Sequence, residues 1–239
     1  MPNPRIPCDC DENKDTDEWG DPPEETSRLA RVDLRPHHTT PYILYKEWIK
    51  AAEDAGLTRC QTQVFSLATV SRCGDIGNRM MPLREFRNNM YIITISSYST
   101  TFQHFKETRK CTMLFYLAYF KYRTFFLRQI RIDCKVKRLC SGITELYHDK
   151  EKLAGKVRYE ICKSGQLVDW EALKKQNDRT VIKYRCGKTE LKMPDHYVGY
   201  ALIPHKYEFL HTEAGDYIPD RVTFEKNCDC GWAIRRIMA

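Results

Sequence analysis

The chain has 239 residues, 42% hydrophobic and 30% charged, which suits one sizeable folded domain with or without tails and excludes a chain that is disordered throughout. No apolar run approaches the roughly 20 residues of a membrane-spanning helix, and the opening MPNPRIPCDCDENKD lacks the apolar stretch of a secretory signal, so the expected location is the cytoplasm. A formal charge of +7 suits an anionic partner, either a phosphorylated small molecule or nucleic acid, and equally suits a merely basic solvated surface.

In chain order, residues 1–38 read as an acidic, disordered tail with Pro22-Pro23 and few large apolar side chains, and residues 39–239 as a single domain. The 11 cysteines are odd in number and scattered, as expected of reduced thiols. The pairs Cys8/Cys10 and Cys228/Cys230 have no histidine or C-x-x-C partner at zinc spacing, so they read as free thiols and no metal is expected. Thr40-Pro41 is an N-cap and first-turn pair, followed by Tyr42, Tyr45, Trp48, Ile49 and Ala52 at helical spacing and a stop at Gly56.

Short β-rich runs follow: QVFSLATVS (63–71), a turn at RCGDIG, then NRMMPLREF, NMYIITISS and KCTMLFYLAYF. In TFFLRQIRIDCKVKRL, Arg128, Ile130, Ile132 and Cys134 share one strand face, and Gln129, Arg131, Asp133 and Lys135 share the other. Residues 143–176 read as two helical pieces, with Ile143, Leu146 and Tyr147 on the face of one and Trp170, Leu173 and Lys174 on that of the other. HYVGYALIPHKYEFLH, DRVTFEK, a turn at NCDCG and WAIRRIMA return to strand. Many short strands, few helices and no internal repeat predict a mainly β barrel with peripheral helices.

Stand-alone chemical motifs are missing: no phosphate loop, dinucleotide glycine turn, nucleophile elbow or H-E-x-x-H helix. Tyr116, Tyr119, Phe120, Tyr122, Phe125 and Phe126 interleave with Lys121 and Arg123. That pattern suits base stacking, and it equally suits a half-buried strand pair with basic edges.

The last third carries a family pattern: Pro194, Gly199-Tyr200, Pro204, Glu208-Phe209, Asp220-Arg221 and Gly231-Trp232. With SLATVSRCGDIGNRMMPLREF and LRQIRIDCKVKRL upstream, the chain over about 40–239 resembles the pyridoxamine/pyridoxine 5′-phosphate oxidases. The resemblance implies a split β-barrel that binds flavin mononucleotide (FMN) at the interface of a homodimer, its C-terminal region being of the dimerisation type. It also implies oxidation of pyridoxamine or pyridoxine 5′-phosphate to pyridoxal 5′-phosphate, with oxygen as the final acceptor, and neither a nucleic-acid nor a membrane partner. By position it gives Arg79, Met80, Met81, Leu83 and Arg84 of the RMMPLR run, together with Thr94, Gln129 and Arg221, to FMN. It gives Arg84 and Tyr147 to the substrate phosphate, and it assigns no catalytic residue.

The departures from the pattern are specific. A basic pair on the FMN phosphate is replaced by Thr100 and Thr101, which weakens the expected FMN affinity. A substrate-phosphate arginine is replaced by Glu151, or by Lys152 if the register slips by one, a serine by Gly155, and a Gln-Ser pair by Ser164-Gly165. An R-L-H segment over the substrate ring is replaced by Tyr217-Ile218-Pro219, and a tryptophan near the flavin by Leu210. Two expectations of different class follow: an FMN-dependent oxidase with an altered pocket, or a non-enzymatic protein that binds FMN or a B6 phosphate.

Overall fold

The computed structural model describes residues 28–228 and 231–239. Its strands are β1 (Arg28–Leu29), β2 (Val64–Val70), β3 (Ile76–Pro82), β4 (Glu85–Arg87), β5 (Met90–Ser96), β6 (Lys110–Lys121), β7 (Thr124–Arg138), β8 (Tyr197–Glu213), β9 (Asp216–Ile218), β10 (Asp220–Lys226) and β11 (Trp232–Ile237). Its helices are α1 (Pro41–Asp54), α2 (Arg59–Thr62), α3 (Thr100–Glu107), α4 (Ser141–Asp149), α5 (Leu153–Ile161) and α6 (Trp170–Arg185).

The main sheet is antiparallel and runs β11-β10-β8-β7-β6-β2-β3. The long β8 changes partner along its length: Tyr197–Leu202 pair with β5, and Lys206–His211 pair with β10. Where the change occurs, the β7–β8 register shifts between Asp133 and Cys134, and Pro204 sits beside the irregularity, a position where a residue without an N–H is tolerated. Among the described residues no ladder joins β3 to β4, and the chain itself bridges that split. The Leu83 N–H donates to Gln63 O at 2.7 Å on the β2 side, and the Arg84 N–H donates to Ile92 O of β5 at 2.9 Å. The architecture is therefore the expected split barrel, with one helix, α1, packed into its core.

All strands of the main sheet except β4 and β11 send buried side chains into one core. β7 alternates as its sequence predicts, with Ile130, Ile132 and Cys134 buried. Helix α1 plugs this core with Leu44, Tyr45, Trp48 and Ala52. Tyr45 meets Tyr91 and Phe115 edge-on at 5.2 and 5.5 Å, and Trp48 meets Phe209 at 5.2 Å. Each such pair contributes roughly 0.5–1.5 kcal/mol beyond simple burial. Arg128, on the core-facing side of β7, lies 4.7 Å over the Trp48 ring. Thr40 and Pro41 start α1 as expected, although the Thr40 hydroxyl makes no cap bond, and Gly56 follows its end at φ +104°.

Several expectations change. Three helices, not two, occupy the region after β7. On α4 the inward residues are Thr144, Tyr147 and His148, while Ile143 and Leu146 face solvent. The run at Thr100 and Thr101 opens a helix, α3, that was not among the expected elements. Of the tail expected over 1–38, the part from Arg28 to His38 packs on the body: Val32 is buried, and its N–H donates to Asp220 Oδ2 at 2.7 Å. Residues 1–27, with the Cys8/Cys10 pair, lie outside the described residues, as does Cys230; Cys228 is a free, exposed thiol. The aromatic run divides by strand alternation. Tyr119 is buried and stacks on Phe126, while Tyr116, Phe120 and Tyr122 face outward.

Candidate functional site

β3 is the last strand of the sheet path, and Arg79 and Met80 on it are exposed while Met81 is buried. Beside it, a cleft of about 470 Å3 opens between β3, the end of β5, the start of α3 and the outer turns of α5. Its lining includes Arg79, Met80, Met81, Arg84 and Thr94, five of the eight residues expected to hold a cofactor. Ser96, Ser99, Arg158, Tyr159 and Ser164, the last at a position where the resemblance places a Gln-Ser pair, add polar groups to its wall.

Arg79 and Arg158 form no ion pair with a carboxylate among the described residues. The Ser99 hydroxyl accepts from the Phe102 N–H at 3.2 Å and so caps α3, whose positive end opens on the cleft. Two arginines and a helix N-terminus make a donor set suited to a phosphate monoester, while the Ser99 O–H is already given to Ser96 O at 2.7 Å, and Met80, Met81 and Ile95 supply apolar wall beside it. Thr100 and Thr101 are the first two residues of α3, so backbone dipole stands where the resemblance places a basic pair.

Arg84 is differently engaged. Its Nε–H donates to Thr94 Oγ1 at 2.9 Å, and its Nη2 donates to Glu151 Oε1 in a short contact. The Tyr197 hydroxyl donates to that same carboxylate oxygen at 3.1 Å, and the Glu151 side chain is only 6% exposed. Next along the chain, Glu85 Oε2 accepts from the Tyr147 hydroxyl at 2.6 Å. Burial, reinforced by the Glu85 carboxylate, pushes the Tyr147 phenol up to about 12. The dipeptide Arg84-Glu85 is thus cross-paired with Glu151 and Tyr147 of the α4 region.

What holds α4 there is Gly199 of β8. A Cβ at that position would lie 2.9 Å from Thr144 Oγ1 and 3.0 Å from Leu139 Cδ1, so the helix packs directly on strand backbone.

The remaining expected residues lie elsewhere. Leu83 is half-buried and lines a hollow toward α1. Gln129 and Arg221 sit on either side of Leu210, on one rung across β7, β8 and β10. Arg221 Nε is buried without a hydrogen-bond partner, and its nearest carboxylate oxygen, on Glu208, is 3.8 Å away. An orphaned guanidinium donor of this kind is a seat for an anion or for a group from another molecule. The Tyr217-Ile218-Pro219 segment, expected beside the substrate, is partly taken up by β9. This strand pairs in parallel with β1, and the Ala30 N–H donates to Ile218 O at 3.0 Å.

Arg158 and Ser99 were not foreseen. Ser99 had a local signal, a serine before Phe102 and Phe105 at helical spacing. Arg158 had none, because an arginine on an amphipathic helix is ordinarily a solvated surface charge.

No protein-family model matches the chain. A putative pyridoxamine 5′-phosphate oxidase of Caenorhabditis elegans is 26% identical over 202 residues, covering 83% of this chain and 86% of that protein. A pyridoxine/pyridoxamine 5′-phosphate oxidase of Alteromonas mediterranea is 23% identical over 200 residues, covering 84% and 90%. Among solved structures, PhzG from Burkholderia lata 383, in complex with tetrahydrophenazine-1-carboxylic acid, superposes with a TM-score of 0.73 at 22% identity, covering 87% of this chain and 98% of that one. A pyridoxamine 5′-phosphate oxidase-related, FMN-binding protein from Nostoc punctiforme gives a TM-score of 0.64 at 14% identity, covering 87% and 100%.

Proposed function

Since this chain is a divergent member of the pyridoxine/pyridoxamine 5′-phosphate oxidase family, we propose that it binds FMN along the Arg79 cleft and acts as a flavin-dependent oxidoreductase. The observation that carries this reading is the convergence of Arg79, Arg158, Ser99 and the start of α3 beside an apolar wall, with neither arginine neutralised from within. Arg79 and Arg158 hold the FMN phosphate, helped by the Ser99 and α3 end of the cleft, and Met80 and Met81 pack along the cofactor. Bound FMN supplies the hydride-accepting chemistry, and the protein supplies position and electrostatics.

Gln129 and Arg221 share a sheet face and do not line this cleft, which fits a cofactor site completed by a second copy of the chain in a homodimer. The orphaned Arg221 Nε supports that arrangement. Oxidation of pyridoxamine or pyridoxine 5′-phosphate, the finer expectation, draws less support, because Arg84 and Tyr147 are already bonded to Glu151 and Glu85. The same observation favours a second reading, a protein that keeps FMN or a B6 compound without turnover.

The test is the visible absorbance spectrum of protein purified after expression with added riboflavin, joined to its mass by light scattering. Two flavin bands at near one FMN per subunit, in a dimer, are the expected result. A colourless protein that takes up no added FMN would end the flavin reading altogether.

A further inference from the structure

The cleft holds three arginines in two electrostatic states. Arg79 and Arg158 are unpaired with carboxylates, whereas Arg84 is already paired with an anion that belongs to the protein. Glu151 is held in place by more than one contact: Arg84 Nη2 and the Tyr197 hydroxyl both donate to its Oε1. Its second oxygen lies over Gly155, where an added Cβ would come within 2.6 Å of Oε2. Glycine at 155 therefore leaves the room that the Glu151 carboxylate occupies.

Beside it the Tyr147 hydroxyl is given to Glu85. Arg84, Glu85, Arg87 and Glu151 sum to no net charge, and two of their contacts are buried or half-buried hydrogen bonds. A dianionic phosphate arriving at Arg84 would have to displace a buried carboxylate, whose unpaired charge is costly to leave in place, and the cations left near Tyr147 are the exposed Arg87 and Lys150.

We propose that Glu151 is a built-in counter-anion that sets the substrate class of this site: the molecule oxidised beside the flavin is uncharged at its Arg84 end and carries no phosphate there. The inference rests on the flavin reading above and deepens it. Glu151 acts through Arg84, so it is a specificity-determining residue and not a catalytic one. Gly155 and Tyr197 are its positioning partners, one by leaving space and one by a hydrogen bond.

The test uses FMN-loaded protein titrated by calorimetry with pyridoxine and, separately, with pyridoxine 5′-phosphate, two compounds that differ only in the phosphate. The native protein is expected to bind the ester no more tightly than the alcohol. Glu151→Gln frees Arg84, and Gly155→Ser displaces the carboxylate without removing it. Each is expected to shift preference toward the ester by about tenfold or more, the effect of releasing one charge-assisted contact. Two variants that act by different routes guard against a folding failure in either, which circular dichroism would reveal. A native protein that prefers the ester tenfold overturns the inference, as do folded variants whose preference is unchanged. Failure to load FMN counts against the proposed function instead, and the same two titrations on flavin-free protein then decide the role of Glu151.

Discussion

At the scale of single residues, the site is governed by which charges are matched. Arg79 and Arg84 belong to one six-residue run, yet one guanidinium is open and the other is closed by a carboxylate 67 positions along the chain. Because Arg79 has no internal partner to lose, Arg79→Met is expected to leave stability nearly unchanged. It is expected to weaken FMN binding by about ten- to a hundredfold, as for a charge-assisted contact of roughly 1.5–3 kcal/mol. Flavin fluorescence quenching on titration measures this directly. An unchanged dissociation constant would remove Arg79 from the cofactor site.

At the scale of elements, helices fix the cleft by packing on strand backbone. The α4–β8 contact depends on Gly199, where the strand presents no side chain to Thr144 and Leu139. Gly199→Ala forces these apart, with an expected destabilisation of about 1–3 kcal/mol, typical of overpacking. The urea midpoint is the readout, and a midpoint equal to the native one would show that α4 is free to shift. The start of α3 likewise depends on a local cap, the Ser99 hydroxyl on the Phe102 N–H. That small device gives a first turn without basic residues a positive helix end facing the cleft. β9 shows the opposite outcome: residues expected at the substrate bond to Arg28–Leu29 instead, so the N-terminal segment and the C-terminal strands are fastened together.

At the scale of the whole molecule, three histidines couple the fold to pH. Burial is the first cause that lowers the pKa of His148, His205 and His211 below the ordinary 6.5. Lys156 adds to the effect at His148, Lys135 and Lys110 at His205, and Arg128 at His211, while nearby carboxylates oppose it. The unfolded chain therefore binds protons near pH 6.5 that the folded chain refuses. This stability is fully present above that pH and is lost as pH falls below it. The thermal midpoint is expected to drop between about pH 7.5 and pH 5.5, and His148→Gln should flatten part of the slope. A midpoint independent of pH across that range would show that these rings accept protons where they sit.

What the sequence determined is what local pattern can encode. Period-two alternation set the faces of β7, down to Gln129 outward and Ile130 inward, because side chains alternate strictly about a strand. Helical spacing gave α1 from Pro41, and the RMMPLR run with Thr94 marked one wall of the cleft. Tertiary structure alone decided the rest. Arg158 joined the site because α5 folds over β3 and β5, and Gln129 and Arg221 came together through their strand register with Leu210. The largest decision was the pairing of Arg84 with Glu151. Charges far apart in sequence neutralise one another only once the fold brings them within bonding distance, and no local periodicity records that.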